Sequence, residues 1–276
     1  MRINFGKYDI PTTLQTLIDL ANELGDDEQF SLCFNFYLSL ENFRYFNTPS
    51  DVVVFGNTGI DGIHYGFLTD YGTVMDLDVA PIVCVSPMDF DRPTRIIAKN
   101  LREFLQINLT DSELFYNHFD CEEAYVAAKN QWDAENANFL YQPSENEKLL
   151  KARATKFLTD HIPMPVIENP YRYVQHIKLE RQRNVTIPTQ DRIGIVTPLL
   201  QREEHVQFPI HKEIDPDLQL LREYFHSAPA ASCLALFKDI QLNFIIKDNP
   251  NLFKVVIAAM INMELFDETN RLLEGI

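Results

Sequence analysis

The chain begins with apolar residues at helical spacing and then changes to apolar residues at every second position. In residues 12–24 the apolar positions are Leu14, Leu17, Ile18, Ala21 and Leu24. This spacing predicts a helix, and Pro11 before it suits the first helical turn. In residues 30–40, FSLCFNFYLSL, apolar side chains stand at every second position. That period predicts a strand with one buried face.

Short β-branched segments bounded by Gly, Pro or Asp follow along the chain. They are residues 52–55, 63–69, 73–77, 82–86 and 94–97. Segments of this length with such boundaries are typical of an antiparallel meander. Residues 101–109, LREFLQINL, have a helical pattern and close the unit. We therefore predict an α+β fold that begins with an antiparallel sheet flanked by helices.

The pattern after Asn108 is mainly helical. Predicted helices cover residues 111–139 and 148–158 and, after the capping pair Asn249-Pro250, the segments 252–260 and 263–276. Predicted strands in this half cover residues 171–187 and 192–196. We expect two parts, an α+β domain over residues 1–106 and a mainly helical region with a few strands over residues 107–276. The pattern leaves open whether the two pack together.

The charge distribution narrows the choice of partners. The chain has a formal net charge of −16 at pH 7 and a pI near 4.8. Such a chain repels phosphate backbones, which argues against nucleic-acid binding. Between Asp26 and Asp91 there are eleven acidic residues and a single base, Arg44, whereas residues 148–192 are locally basic. The acidic stretches are either a solvated surface or a face that attracts a basic protein partner.

Several other classes are disfavoured by the sequence. No apolar run approaches the ~18 residues of a membrane span, and the first residues lack the basic start and apolar stretch of a signal peptide. The cysteines are scattered without a CxxC pair, at Cys33, Cys84, Cys121 and Cys233. This arrangement disfavours zinc ribbons and disulfide frameworks and suits reduced thiols. We therefore expect a cytoplasmic protein with no cofactor, no metal and no membrane partner.

Glycine is concentrated in residues 55–72, FGNTGIDGIHYGFLTDYG. Five of the nine glycines lie there, at Gly56, Gly59, Gly62, Gly66 and Gly72. The first three have the spacing GxxGxxG instead of GxGxxG and lead into a predicted strand, so no helix N-terminus is available to hold a phosphate. A structural role explains more residues. Gly59, Asp61 and Gly62 suit a turn with positive φ angles, and Gly66 suits a close approach within a strand.

A catalytic or metal-binding turn is the alternative for the same segment. Asp61, His64 and Asp70 could supply a base with an orienting carboxylate, or metal ligands. Cys84, on a neighbouring predicted strand, could act as a nucleophile paired with His64. A lone histidine in a strand is more often structural, and a cysteine in an apolar strand is usually inert. We therefore predict no catalytic residue, and a hydrolase built on Asp61 and His64, or on another histidine, stays an alternative.

One segment of the chain shows a family resemblance. It combines the turn containing Gly59, Asp61 and Gly62 with the aromatic strand HYGFLTD and the closing helix with LREFL at residues 101–105. With these features, residues 48–106 resemble the SUKH superfamily, the group that contains the yeast glucan-synthesis regulator and many bacterial immunity proteins. The family looks like a binding scaffold, so the resemblance implies no catalytic residue.

The resemblance implies a non-enzymatic, cytoplasmic protein-binding protein of the immunity type, which masks a basic toxin such as a nuclease. Two loops that combine acidic residues with aromatic or Met side chains are then the expected contacts. Their residues are Asp70, Tyr71, Asp76, Asp78, Met88, Asp89, Phe90 and Asp91. A regulatory scaffold that binds a host protein through its helical half is the first alternative, ahead of the hydrolase. The oligomeric state is not predicted.

Overall fold

The computed structural model describes residues 3–41, 43–90, 92–139, 142–211, 214–243 and 245–275. An antiparallel sheet near the N-terminus is flanked by helices and the second half is mainly helical, which confirms the predicted α+β class. The strands are β1 (Tyr37–Leu38), β2 (Val52–Asn57), β3 (His64–Leu68), β4 (Ile82–Val85) and β5 (Thr94–Ala98). The helices are α1 (Thr12–Leu24), α2 (Asp27–Phe34), α3 (Leu101–Asp111), α4 (Glu122–Ala137), α5 (Glu145–His161), α6 (Pro170–Asn184), α7 (Leu218–Ser227), α8 (Ala230–Leu242), α9 (Pro250–Asn262) and α10 (Phe266–Glu274).

The sheet is a meander in which each strand pairs with the next one along the chain. All of the pairings from β1 to β5 are antiparallel. His64 pairs with Val85, and Tyr65 pairs with Cys84. Since successive side chains on a strand point to opposite faces, Tyr65 and Cys84 lie on one face of the sheet and His64 and Val85 on the other.

The face that carries Tyr65 packs against helices α1, α2 and α3 through a cluster of rings that we call the aromatic core. Its members are Phe36, Phe55, Tyr65, Phe104 and Phe115, all fully buried. The Phe104 ring stacks on the Phe115 ring and meets the Tyr65 ring edge-on, with centroids 4.9 Å apart in both cases. These are favourable geometries for aromatic pairs, so this side of the sheet is held by apolar packing.

The opposite face of the sheet is covered by residues from the second half of the chain. Its buried side chains are Val52, Val54, Leu68, Val83, Val85 and Ile96. Ile177 of α6 and Ile193 of the following loop pack against them. Helix α6 therefore completes the packing of the N-terminal sheet.

Helices α7 to α10 enclose a second apolar core. Buried ion pairs connect α8 and α6 to residues that flank the sheet strands, Asp51 with Lys238 and Asp70 with Arg181, and a third buried pair, Glu268 with Arg271, lies within α10. We call these three pairs the charged junction. The Lys238 Nζ atom lies 2.8 Å from an Asp51 carboxylate oxygen. All six side chains are almost fully buried, so each charge is compensated by its partner and not by water.

The charged junction spans the predicted domain boundary at residue 106. In α10, the Arg271 guanidinium donates to the backbone carbonyls of Ser50 and Asn4 at 2.7 and 3.1 Å. In α8, the Gln241 side chain accepts from the Ser50 backbone N–H at 3.0 Å. The two predicted parts therefore pack together, while the boundary at residue 106 itself stays a prediction.

The strand predicted over residues 30–40 is wrong. Residues 30–34 belong to α2, and only Tyr37–Leu38 forms a strand, β1. The Asp26 carboxylate accepts from the Glu28 N–H at 2.9 Å and caps the helix. The buried residues Phe30, Cys33 and Phe34 stand at positions i, i+3 and i+4, a helical spacing that the same apolar-rich letters also satisfy.

The strand predicted over residues 171–187 is also wrong, because α6 occupies most of it. The Asn169 side chain accepts from the Arg172 N–H at 2.9 Å, and Pro170 takes the first helical position. Val174, Ile177 and Arg181 form the buried stripe of this helix. The cap and the proline, rather than the apolar period, are the signals that identify it.

Two further predicted strands do not form among the described residues. Residues 73–77 form turns, in which Asp76 accepts from the Asp78 N–H at 2.9 Å. Residues 192–196 contribute one isolated bridge, between Ile187 and Ile195. The helices predicted over residues 12–24, 101–109, 148–158, 252–260 and 263–276 are confirmed with small shifts at their ends, and α4 fills the later part of residues 111–139.

Candidate functional site

The glycine-rich segment forms a turn between β2 and β3, as predicted. Gly59, Asp61 and Gly62 have φ angles of 74°, 52° and 68°. The Thr58 N–H donates to the Ile63 carbonyl at 2.9 Å and closes the turn. Positive φ costs glycine little and aspartate less than most residues, so this composition follows from the backbone geometry.

The remaining glycines of the segment mark close approaches and a second turn. A Cβ at Gly56 would lie 2.7 Å from the Phe36 ring, and one at Gly66 would lie 2.4 Å from the Val52 side chain. The predicted close approach at Gly66 is therefore confirmed. Gly72, with φ of 86°, ends the short turn after β3.

His64 and Asp61 do not form a base and carboxylate pair. The His64 ring is buried, with Nε2 3.0 Å from the Thr48 hydroxyl and Nδ1 2.7 Å from the Gly62 carbonyl. Burial lowers the pKa of His64 to about 4, so the ring is neutral at pH 7. Asp61 is exposed at the tip of the turn. Both imidazole nitrogens are thus occupied by structural partners.

Cys84 cannot act as a nucleophile activated by His64, because the two side chains lie on opposite faces of the sheet. Cys84 is fully buried in the aromatic side of the sheet, and burial raises the pKa of its thiol to about 12. Among the residues that the structure describes, no three His, Cys, Asp or Glu side chains are placed to hold a metal ion.

The first predicted contact loop begins with two buried residues. The Asp70 carboxylate receives two hydrogen bonds from Arg181, at 2.6 and 2.7 Å. Tyr71 is only 9% exposed, and its ring lies 5.6 Å from the Lys238 ammonium. Asp70 and Tyr71 therefore belong to the charged junction region and do not reach the surface.

The rest of this first loop is partly exposed, but its acidic residues have structural partners. The Asp78 carboxylate accepts from the backbone N–H groups of Thr12 and Thr13 and from the Thr13 hydroxyl. It therefore caps α1, whose own N-cap residue, Pro11, has no side chain able to do so. Asp76 is exposed and holds the turn that presents Asp78.

The second predicted contact loop lies at the other end of the sheet. Met88 and Phe90 are 68% and 60% exposed, and Asp89 pairs with Arg95. Asp91 lies outside the described residues. This loop follows β4 and the first loop precedes β4. The two loops therefore lie at opposite ends of a four-residue strand that is about 10 Å long. Because Asp70 and Tyr71 are buried, the predicted contacts do not all lie at the surface.

The structure instead forms an acidic surface around the glycine-rich turn. A groove of about 780 Å³ runs between α2, the β2–β3 turn and the segment after α3. We call it the acidic groove. Its lining residues are Glu28, Ser31, Leu32, Asn35, Thr58, Ile60, Asp61, Ile63, Ser112, Glu113, Tyr116 and Asn117. None of these lining residues is basic, and three of them carry carboxylates.

The acidic groove combines these carboxylates with exposed apolar side chains. Ile60 is 66% exposed and Leu32 is 37% exposed. The Tyr37 hydroxyl donates to Glu28 at 2.8 Å and fixes its position. The one base between Asp26 and Asp91, Arg44, donates to the carbonyls of Val52 and Pro49 and adds no charge to the groove.

Sequence reasoning missed Glu28 and Glu113 as site residues, and it assigned Asp61 to the turn or, in the hydrolase alternative, to a pair with His64, but not to a protein-binding surface. The available signal was the long run of acids with a single base. It could not identify the groove, because Glu28, Asp61 and Glu113 come from three segments that only the fold brings together.

Comparison with known proteins adds no relative: no family model and no curated protein matches this chain. In the described ranges, no helix is both long and apolar enough to cross a bilayer.

Proposed function

We propose that this protein is a non-enzymatic protein-binding protein whose acidic groove holds a basic segment of a partner protein. The observation that carries the proposal is the lining of the groove, which presents Glu28, Asp61 and Glu113 without a base. A partner with Lys or Arg side chains gains from this arrangement in two ways. The charges accelerate encounter and fix the register of the bound segment.

Exposed apolar residues support a protein partner over a small cation. Leu32 and Ile60 flank the carboxylates and remain exposed. Interfaces combine such apolar contacts with a polar rim. Their contact with a partner would exclude water and strengthen the nearby ion pairs.

The resemblance of residues 48–106 to the SUKH superfamily supports a more specific proposal. In that case the protein is a cytoplasmic immunity protein, and the partner is a basic toxin such as a nuclease. The acidic groove would then occupy the surface that a nuclease uses for its anionic substrate. This step depends on the resemblance, whereas the binding of a basic segment depends only on the groove.

The test compares three forms of the full chain as affinity baits in a lysate of its own host. They are the wild type, a groove variant with Glu28→Gln, Asp61→Asn and Glu113→Gln, and a control variant with Glu123→Gln, Asp133→Asn and Glu204→Gln. The control residues are exposed, and the two variants change the net charge equally. A protein held by the groove should be retained by the wild type and the control, and lost from the groove variant.

The retained protein is then purified and its affinity measured at low and high salt. We expect at least about tenfold weaker binding to the groove variant and a strong loss of affinity as salt screens the charges. Equal losses for the groove and control variants would contradict the proposal, because only total charge would then matter. Inhibition of a nuclease activity of the partner would distinguish an immunity protein from another binding protein.

A second groove favours the alternative of a scaffold that binds through its helical half. It lies between α7 and α9, encloses about 660 Å³ and is lined by Phe225, Val255 and Met263 together with Arg222 and Lys254. Its basic side chains suit a partner of the opposite charge. An acidic partner lost on Arg222→Gln and Lys254→Gln substitution, but retained by the acidic-groove variant, would support this alternative.

A further inference from the structure

A cluster of positive charge lies at the β5 edge of the sheet, beside α6, in a chain whose net charge is −16. A pocket of about 200 Å³ opens there, between β5, α6 and the loop that follows α6. We call it the basic pocket. Its cationic lining residues are Arg92, Arg95, Lys178, Arg181 and Arg192. The last three belong to the locally basic segment 148–192.

Two of these cations are already neutralised by neighbouring carboxylates. Arg181 is held by Asp70 in the charged junction, and Arg95 is held by Asp89. One further carboxylate, Asp191, lines the pocket, but it is buried and accepts from Thr189 and from the Ile193 N–H. Its second oxygen lies 3.9 Å from the Lys238 ammonium, so its charge is partly balanced there.

The other three cations, Arg92, Lys178 and Arg192, have no ion pair within the described part of the chain. Lys178 shows the effect of this imbalance most clearly. Burial first, and then the nearby charges of Arg95 and Arg92, lower its pKa. No carboxylate contributes to that shift. Arg92 and Arg192 are exposed, whereas Lys178 is half-buried. A half-buried cation that lies beside other cations and lacks a counter-charge is unfavourable unless an anion joins it.

The pocket is also held in place before any ligand arrives. Arg192 has a φ angle of 64° in a turn closed by its own N–H, which donates to the Thr189 carbonyl. The Gly194 N–H donates to the Thr189 hydroxyl at 2.8 Å. An arginine in this backbone region is unfavourable, and such strain is often found at functional sites. Gln175 and Gln182 of α6 add neutral hydrogen-bonding groups to the lining.

We propose that the basic pocket binds a phosphoryl group carried by a small molecule. A phosphate carries about −1.5 to −2 charge at pH 7, which matches several uncompensated cations better than the single charge of a carboxylate. Guanidinium groups donate paired hydrogen bonds to phosphate oxygens, and lysine adds a point charge. The pocket is smaller than the ~300–1,000 Å³ of sites that enclose whole ligands, so it holds the anionic group while the rest of the molecule lies outside.

The test measures binding by titration calorimetry with inorganic phosphate and with AMP, each against sodium chloride at equal ionic strength. The protein is used as the wild type, as Lys178→Gln and as Lys151→Gln. Lys151 lies exposed on α5, so this control loses the same charge from a helix outside the pocket. Removal of a charged hydrogen-bond partner should weaken phosphate binding about tenfold in Lys178→Gln and leave Lys151→Gln unchanged.

The two probes also identify the source of the phosphoryl group. AMP that binds at least about tenfold more tightly than inorganic phosphate supports a phosphate ester, and equal affinities support free phosphate. Absence of binding by both probes, or equal binding by the two lysine variants, overturns the proposal. Heparin is titrated as a third probe. Binding of heparin alone also overturns the proposal, in favour of a surface for large polyanions.

A second variant protects the test against loss of folding. Arg192→Gln alters an exposed side chain, and it should also weaken phosphate binding about tenfold. The acidic groove is not involved, so the Glu28→Gln, Asp61→Asn and Glu113→Gln variant should bind phosphate as the wild type does. If the basic pocket does not bind phosphate, the proposed protein-binding function is unaffected. If the acidic groove does not bind a basic partner, the proposed phosphate site is unaffected.

Discussion

The aromatic core stabilises one face of the sheet, and the charged junction stabilises the end of the sheet where β2 begins and β3 ends, by different means. In the aromatic core, rings such as Phe104 and Phe115 pack without polar partners. In the charged junction, Lys238 and Asp51 are just as deeply buried but interact by charge. Apolar packing is non-directional and tolerates exchange of similar shapes, whereas a buried charge requires one partner in one position.

This difference indicates what each region contributes. The aromatic core supplies free energy from buried apolar surface. The charged junction selects one arrangement of α6 and α8 against the sheet, because any shift would leave a buried charge uncompensated. Burial alone would lower the pKa of Lys238, but the carboxylates of Asp51 and Asp191 raise it above its usual value. The lysine therefore stays charged in the folded protein.

The largest expected effect follows from removing one charge of the junction. Lys238→Met should lower the free energy of unfolding by about 3–5 kcal/mol, because Asp51 would remain buried without its partner. Chemical denaturation followed by circular dichroism measures this loss. Phe104→Ala in the aromatic core should cost a similar ~3–5 kcal/mol, through the cavity that it leaves.

A second substitution distinguishes the two regions. Adding Asp51→Leu to Lys238→Met should recover part of the lost stability, since a buried ion pair can be replaced by apolar residues. The recovery should be incomplete, because Asp191 also lies near Lys238. An exposed pair, Lys156 with Asp160 on α5, provides the control, and Lys156→Met should have little effect. Additive losses for Lys238 and Asp51 would contradict this account of the junction.

The next effect concerns pH, because His64 is buried in its neutral form. Burial lowers its pKa from 6.5 to about 4, so the unfolded chain binds this proton at a higher pH than the folded chain. The contribution of His64 is complete above about pH 6.5 and is lost as the pH falls to about 4, by about 3 kcal/mol. Denaturation at a series of pH values measures the loss.

Asp239 acts in the opposite direction over part of the same range. Burial raises the pKa of its carboxyl to about 6, so this group favours the folded state as the pH falls. The difference in stability between wild type and His64→Gln cancels the contribution of Asp239, because Asp239 is present in both. His226→Gln, at an exposed histidine of α7, is the control. A stability profile that falls equally in wild type and His64→Gln would show that His64 is not responsible.

The elements that pack through apolar side chains could be predicted from the sequence better than the polar contacts between them. The helix over residues 101–109 and the strands over residues 52–55, 63–69, 82–86 and 94–97 were identified because period and boundary signals agreed. Residues 171–187 were misassigned because YRYVQHIKLE satisfies both periods. The pair Asn169-Pro170, a capping residue followed by a first-turn proline, indicates a helix in that segment. The same pair of residue types, Asn249-Pro250, indicates the helix after residue 249.

The polar contacts could not be predicted because their partners lie far apart along the chain. Asp70 was expected at the surface, yet Arg181 lies 111 positions later and holds it in the interior. The acidic groove likewise joins three separate segments. A charged residue in a turn is usually solvated, and only the fold shows which carboxylate has acquired a buried guanidinium. The composition predicted that the surface charge is negative, but it could not predict where the acidic groove lies.

The smallest effect tests the backbone of β3, on the face of the sheet opposite the aromatic core. Gly66→Ala should cost about 1–3 kcal/mol, because its Cβ would lie 2.4 Å from the Val52 side chain and 2.9 Å from the Val53 carbonyl oxygen. Gly25→Ala provides the contrast, since it has φ of 72° and no atom within 4 Å, and should cost about 1–2 kcal/mol from backbone strain alone. Adding Val52→Ala should relieve the first substitution but not the second. If Val52→Ala does not restore stability to Gly66→Ala, the limiting contact is the Val53 carbonyl oxygen. The backbones of β2 and β3 would then pack too closely to admit a Cβ at position 66, whatever the side chain at position 52.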